Sequence, residues 1–282
     1  MNAVLTRLAF FSRVVRGNPL WLTGYTIVGL GFALMIFAPL IAPFPPEEPN
    51  PFDTLQAPNP THWFGTDATG MDIFSRVVWA TRVDLSIAVL GTALSIFLGV
   101  PIGVLAGFYR GWGSGLILRI ADLIQAFPVF ILALVLVALT GQNILNLIYV
   151  IAFVNMPIFL RLTRSDVLVL RSKAFVEAGR CLGKSELNLA FTYVLPNAYA
   201  PALIQGSISA GFAILLTAGL SFIGAGVRVP TPEWGSIIST GAENMVTGEW
   251  WISFFPGVAI AISVLGFALV GDSLKRLLSP GG

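Results

Sequence analysis

Residues 85–109 read LSIAVLGTALSIFLGVPIGVLAGFY, a run of twenty-five positions with no Asp, Glu, Lys or Arg. Wound as a helix, such a run is about 37 Å long and crosses the roughly 30 Å hydrocarbon core of a bilayer. In lipid the backbone must satisfy its own hydrogen bonds, which leaves helices and closed barrels as spanning structures, and an unbroken apolar run of this length is the helical solution. Gly91, Ser95, Gly99, Gly103 and Gly107 recur every fourth residue within it. That spacing puts five small side chains on one helix face, where a second backbone can approach closely.

The rest of the chain repeats the theme. Of 282 residues 56% are hydrophobic and 11% charged, against about 25% charged in soluble domains, and the mean hydropathy is +0.84. The reading is an all-α, polytopic membrane protein with six spans: residues 20–42, 85–109, 119–140, 144–161, 198–223 and 250–271. Residues 1–19 place Val4, Leu8, Phe11 and Val15 on one stripe with Arg13 and Arg16 opposite, the pattern of an interfacial helix lying on the membrane. The apolar run of the first span is too long for the core of a cleaved signal peptide. Pro196 and Pro201 place the start of the fifth span near Ala198, since proline breaks a helix interior.

Charge orients the spans. With both termini inside, thirteen of the sixteen Lys and Arg fall on cytoplasmic segments and only Arg76, Arg82 and Arg228 fall outside; basic residues accumulate on the cytoplasmic side. Residues 43–84 and 224–249 are then periplasmic, 162–197 form a long cytoplasmic loop, and 272–282 a cytoplasmic tail.

Several chemistries are excluded. A single cysteine, Cys181, forms no intrachain disulfide, and a single histidine, His62, cannot build a multi-histidine metal site. The net charge of +2 does not suggest a nucleic-acid binder. No Gly-x-x-x-x-Gly-Lys-Ser/Thr loop is present to cradle nucleotide phosphates. Acidic residues near the spans, Asp84, Asp122 and Asp272, sit at their edges, which argues against a proton relay. Arg119 and Asp122, three apart at a helix start, are expected to pair.

The long inner loop holds the most specific pattern. Glu177-Ala178-Gly179 is followed by Gly183 and then by Leu195-Pro196. This resembles the Glu-Ala-Ala, three residues, Gly, nine residues, Ile-x-Leu-Pro signature of permease subunits of bacterial ABC importers. Gly179 stands in place of the second alanine and Tyr193 in place of the isoleucine. Gly65-Thr66-Asp67, Gly70 and Asp72 resemble the Gly-Thr-Asp-x-x-Gly-x-Asp segment of the dipeptide/oligopeptide/nickel branch, with Met71 where that branch carries arginine. Pro230-Thr231-Pro232-Glu233-Trp234-Gly235 and Gly271-Asp272-Ser273-Leu274 extend the likeness, so that it covers nearly the whole chain and gives residues 85–272 as the permease core.

The resemblance implies a pore-forming subunit that moves a small solute inward while separate subunits hydrolyse ATP. Glu177, Ala178, Gly179, Gly183, Leu195 and Pro196 would form the loop that docks on the ATPase. The small residues Gly206, Ser207, Ala210 and Gly211 of the fifth span would line the path, with packing as the rival reading. Glu233 and Trp234 would meet a docked binding protein or anchor the outer loop at the interface. Thr66 or Asp67 is suited to cap the helix that follows. Implied partners are a second, similar permease subunit, two ATPase subunits holding ATP and Mg, a periplasmic substrate-binding protein and membrane lipid. The chain itself holds no cofactor or metal and is not an enzyme. Cargo stays open among dipeptides, oligopeptides, related amino-acid conjugates, opines and nickel chelates, with peptides favoured by the neutral span interiors. A stand-alone channel or secondary transporter would show charged groups at mid-membrane or matching half-repeats, and an intramembrane enzyme a nucleophile facing a base or metal ligands; neither pattern is found.

Overall fold

The computed structural model describes residues 17–109 and 111–278, so the expected interfacial helix lies almost wholly outside the described residues. The fold is all α. Among the described residues five helices are long and apolar enough to cross a membrane, and a bent pair makes a sixth crossing if it is one span.

Helix α1, Pro19–Ile41, starts where the Asn18 side chain accepts the Leu20 N–H, with Pro19 in the first turn. It leans on the last helix through small residues: a Cβ on Gly24 would stand 2.5 Å from Leu269, and one on Gly266 2.6 Å from Ile27. Helix α2, Ile73–Phe108, begins well before the expected start at Leu85. Its cap is Asp72, whose carboxylate accepts the Ser75 N–H at 2.7 Å. Asp67 instead closes the preceding turn by accepting from Thr69 and Met71 N–H groups, and Thr66 bonds back to Asp53 and Gln56, so neither performs the capping expected of it.

The expected span 119–140 is two helices, α3 (Trp112–Ala126) and α4 (Val129–Thr140), bent by 93° at Phe127-Pro128. Pro128 has no N–H to continue α3, and its ring excludes the preceding residue from helical geometry. The bend leaves α3 beside α5, Ile144–Leu170. Asp122 consequently pairs with Arg161 of α5 rather than with Arg119. After α6, Ala174–Cys181, helix α7 runs from Glu186 to Phe222 and so begins before Ala198. Pro196 is tolerated because residues Leu189–Val194 wind as a π-helical segment and Pro196 falls in the first turn of the α-helix that follows. The wider winding removes the need for the N–H that proline lacks. Helix α8, Trp234–Asn244, lies within the segment 224–249 expected to be periplasmic, and α9, Trp251–Leu278, closes the bundle.

The core joins α2, α5, α7, α8 and α9 around Ile87, Ile151, Ile214, Leu220, Trp234 and Ile252. Lipid tails are as apolar as leucine, so packing quality rather than water exclusion holds such helices together. The period-four face of α2 supplies that packing against α5. Cβ atoms added at Gly91, Gly99, Gly103 and Gly107 would approach α5 atoms within 2.5–2.8 Å, and the Ser95 hydroxyl bonds to the Ala152 carbonyl across the contact.

Candidate functional site

Helix α6 is an eight-residue amphipathic segment standing between the ends of α5 and α7. Its buried side, Val176 and Gly179, sits on Leu189, Ala190, Val194 and Phe108. Gly179 suits that contact: a Cβ would reach within 2.5 Å of a Leu189 methyl, which would have to turn aside. Gly183 answers a different demand. It has φ +75° with open space around it, a left-handed conformation that ends α6 and that L residues adopt at a cost.

The outward side of α6 presents Phe175, Glu177 and Ala178, followed by Leu182, which is 77% exposed. Phe175, Ala178 and Leu182 follow i, i+3, i+7 spacing and line one stripe. Beside it, Arg180 bonds to Glu177 at 2.8 Å and forks onto Glu186 at 2.9 and 3.2 Å. The guanidinium holds the Glu186 carboxyl below its ordinary value, and the two carboxylates keep Arg180 above its own. The turn from α6 into α7 is thus fixed by a clamp of charges. Lys184 lies over the Tyr193 ring at 5.0 Å, which gives the departing aromatic a partner, and Arg171 ties the loop to the Gly107 carbonyl of α2.

The structure divides the expected docking set. Glu177, Ala178, Gly179 and Gly183 are together on α6 and its turn, whereas Leu195 and Pro196 lie further along α7. There they line an apolar cavity of about 730 Å³ with Ile96, Phe97 and Tyr199. Leu195 is partly buried there against Val100 of α2, while Pro196 stays exposed at the cavity's edge, away from α6.

The expected path residues are also taken up by packing. Ser207 donates to the Phe267 carbonyl at 2.6 Å; Gly206 faces Ile96, Gly211 faces Phe267 and Val264, and Ala210 is buried. Their small size serves contact with α2 and α9, and the open side of α7 is Leu203, Ile208, Phe212 and Leu215 instead.

Glu233 and Trp234, expected to meet a binding protein or to anchor the outer loop, are likewise buried in packing. Glu233 is 0% and Trp234 2% exposed. The Glu233 carboxylate caps α8 by accepting the Gly235 and Ser236 N–H groups, although burial pushes it above its ordinary value. Trp234 donates its indole N–H to the Val77 carbonyl and its backbone N–H to Asp84. Asp84 therefore sits a third of the way along α2 and is fully buried. The outer segment before α2 is tied down similarly: His62 bonds to Asp72 at 2.9 Å, Phe64 stacks on Phe255, and Trp251 donates to the Thr66 carbonyl.

One feature escapes the sequence reading. At the α3–α4 bend lies a cavity of about 410 Å³ whose lining includes Gln125, Phe127, Asn155 and Phe212. Asn155 is 1% exposed, and its Nδ2 has no hydrogen-bond partner. The available signal was an asparagine inside an uncharged span opposite Phe127-Pro128.

Comparison with known proteins places these features. A model of the family described as binding-protein-dependent transport system inner membrane component matches residues 99–281. The dipeptide transport system permease protein DppC of Alkalihalophilus pseudofirmus is 38% identical over 266 residues, 94% of this chain and 87% of that one. The probable D,D-dipeptide transport system permease protein DdpC of Escherichia coli K12 is 35% identical, covering 95% of this chain and 89% of that one. The glutathione transport system permease protein GsiD of Pectobacterium atrosepticum is 33% identical, covering 96% and 90%. Among solved structures, a chain of the inward-facing MetNI methionine ABC transporter superposes with a TM-score of 0.57 at 17% identity, covering 73% of this chain and 97% of that one; the likeness is one of fold.

Proposed function

The chain belongs to the family of binding-protein-dependent transport system inner membrane components, and on that premise we propose that α6 is the element through which it is driven. It is a permease subunit of an ABC importer, a transport component rather than an enzyme, and a multi-pass protein of the inner membrane. In our reading α6 docks on an ATPase subunit that binds ATP and Mg, and both termini are cytoplasmic. A second, similar permease subunit completes the pore, and a periplasmic binding protein delivers the solute. The cargo is a dipeptide, oligopeptide or related amino-acid conjugate. Relatives named for dipeptides and glutathione support that cargo class.

The observation that carries the reading is the exposed stripe Phe175, Ala178 and Leu182 beside Glu177 on a helix whose other side is fixed to α2 and α7. An apolar stripe left open on a rigid short helix suits a partner's cleft. ATP-driven movement of that cleft would pass to α5 and α7 directly, because α6 is joined to both by short turns. This gives alternation between outward-facing and inward-facing states a mechanical route.

The test is Glu177→Ala and, separately, Gly183→Leu in the complete importer. Both permeases are expected to fold but to lose co-purification of the ATPase subunits, or the ATPase stimulation caused by loaded binding protein. Unchanged assembly and stimulation in both variants would falsify the assignment.

A further inference from the structure

We propose that the cavity at the α3–α4 bend is a solute-contact site, in which Asn155 donates to a peptide carbonyl of the passing solute. The proposal rests on the importer reading above and names residues of the path that the reading leaves unassigned.

Asn155 lies eleven residues beyond the start of α5 at Ile144, about 17 Å along the helix at 1.5 Å per residue, near the middle of the hydrocarbon core. Hydrocarbon offers no partner to an amide, so polar side chains at that depth face protein or a wet cavity and mark pathways. Asn155 lines the cavity with only 1% of its surface exposed, and its Nδ2 is itself buried and unpartnered, so donation requires the terminal amide to turn toward the cavity when a solute is present. Nothing else among the described residues hydrogen-bonds to that nitrogen.

The opposite wall is a broken helix. Where α3 stops, the carbonyls of its last turn lose their intrahelical donors, and Pro128 brings no N–H to replace them. Irregular backbone at membrane depth is tolerated where it lines a cavity, and discontinuous helices frame the substrate sites of other transporters. Gln125 stands in that final turn, exposed, with the second amide side chain of the site.

Size and chemistry point to the same ligand class. A volume of about 410 Å³ falls within the roughly 300–1,000 Å³ of small-molecule sites. No charged side chain is in the lining, so a bare ion would find no counter-charge. The two amides complement peptide groups, and the exposed rings of Phe127 and Phe212 give apolar side chains a surface without selecting among them.

The experiment uses the whole importer in proteoliposomes, with radiolabelled alanyl-alanine delivered by its binding protein. Asn155→Leu is expected to lower uptake roughly three- to tenfold, the worth of one neutral hydrogen bond, while ATPase stimulation by loaded binding protein keeps its wild-type rate. More ATP is then spent per solute moved, a ratio that general damage to the fold would not raise in this way. Asn155→Gln is expected to recover part of the uptake. Independently, a benzoylphenylalanine photocrosslinker replacing Phe212 should capture the labelled dipeptide during turnover, which needs no change at Asn155. Unchanged uptake in Asn155→Leu, a parallel fall of uptake and ATPase, or turnover without capture at position 212 would each overturn the site and leave the importer reading standing. If the wild-type importer moves neither alanyl-alanine nor longer alanine peptides nor glutathione, the cargo reading fails and the site fails with it.

Discussion

Two glycines four residues apart, Gly179 and Gly183, show how differently one residue type is used. Gly183 has room for a side chain but a backbone at φ +75°, where an L residue costs about 1–2 kcal/mol. Gly179 has an ordinary backbone but no room, its missing Cβ being 2.5 Å from the flexible end of Leu189. Gly183→Ala should therefore speed hydrogen–deuterium exchange across residues 174–188 by an order of magnitude or so, whereas Gly179→Ala needs only a rotation of Leu189 and should leave the exchange nearly unchanged. The charge clamp of the same loop makes a prediction in pH. The hydrogen bond from Arg180 stabilises ionised Glu186 and lowers its pKa, so the clamp is complete above the ordinary carboxylate range and is lost as pH falls through the depressed value. A carboxyl NMR titration should find Glu186 below its ordinary value in the wild type and restored to it in Arg180→Gln. Both groups are exposed, so added salt should weaken the shift.

At the scale of elements, what can be read from sequence depends on whether a rule is local. The period-four small face of α2 is local, and it meets α5 as its spacing requires. Gly103→Val would drive a side chain toward the Leu160 carbonyl, 2.5 Å from where the Cβ must stand, and backbone cannot swing aside; overpacking of this kind costs about 1–3 kcal/mol. Gly29 in α1 has nothing within 4 Å, so Gly29→Val should leave the thermal unfolding midpoint in detergent unmoved while Gly103→Val lowers it by several degrees. Prolines were harder to read because their effect depends on neighbours. Pro128 breaks α3 from α4 by 93°, but Pro196 is absorbed by a π-helical segment and Pro157 lies inside α5 without ending it. Periodicity alone does not separate these three cases. Nor did it anticipate α8, whose start depends on Glu233 turning back onto Gly235 and Ser236.

For the molecule as a whole, the bilayer makes the spans legible, because hydrocarbon excludes charge, while sidedness stays an expectation drawn from where the basic residues collect. Burial of particular loop residues is not legible in that way: Glu233 and Trp234 sit in a segment that reads as exposed, yet α2 and α7 close over them. The candidate docking face is the intermediate case, since its Glu177 and Gly183 were visible as a pattern while its apolar stripe required α6 to be seen on its bed. Sidedness and docking are open to one joint measurement, because the chain's single cysteine, Cys181, is exposed at the end of α6. If thirteen basic residues mark the cytoplasmic side, a membrane-impermeant maleimide should label Cys181 in inverted vesicles and not in right-side-out ones. If α6 is also the face that meets the ATPase, adding purified ATPase subunits to stripped inverted vesicles should slow labelling by about tenfold or more, and Glu177→Ala should abolish that protection without changing the unprotected rate. Labelling from the periplasmic side would reverse the orientation and remove α6 from any cytoplasmic partner. Inner-side labelling that the ATPase never slows would keep the topology and place the contact elsewhere on the loop.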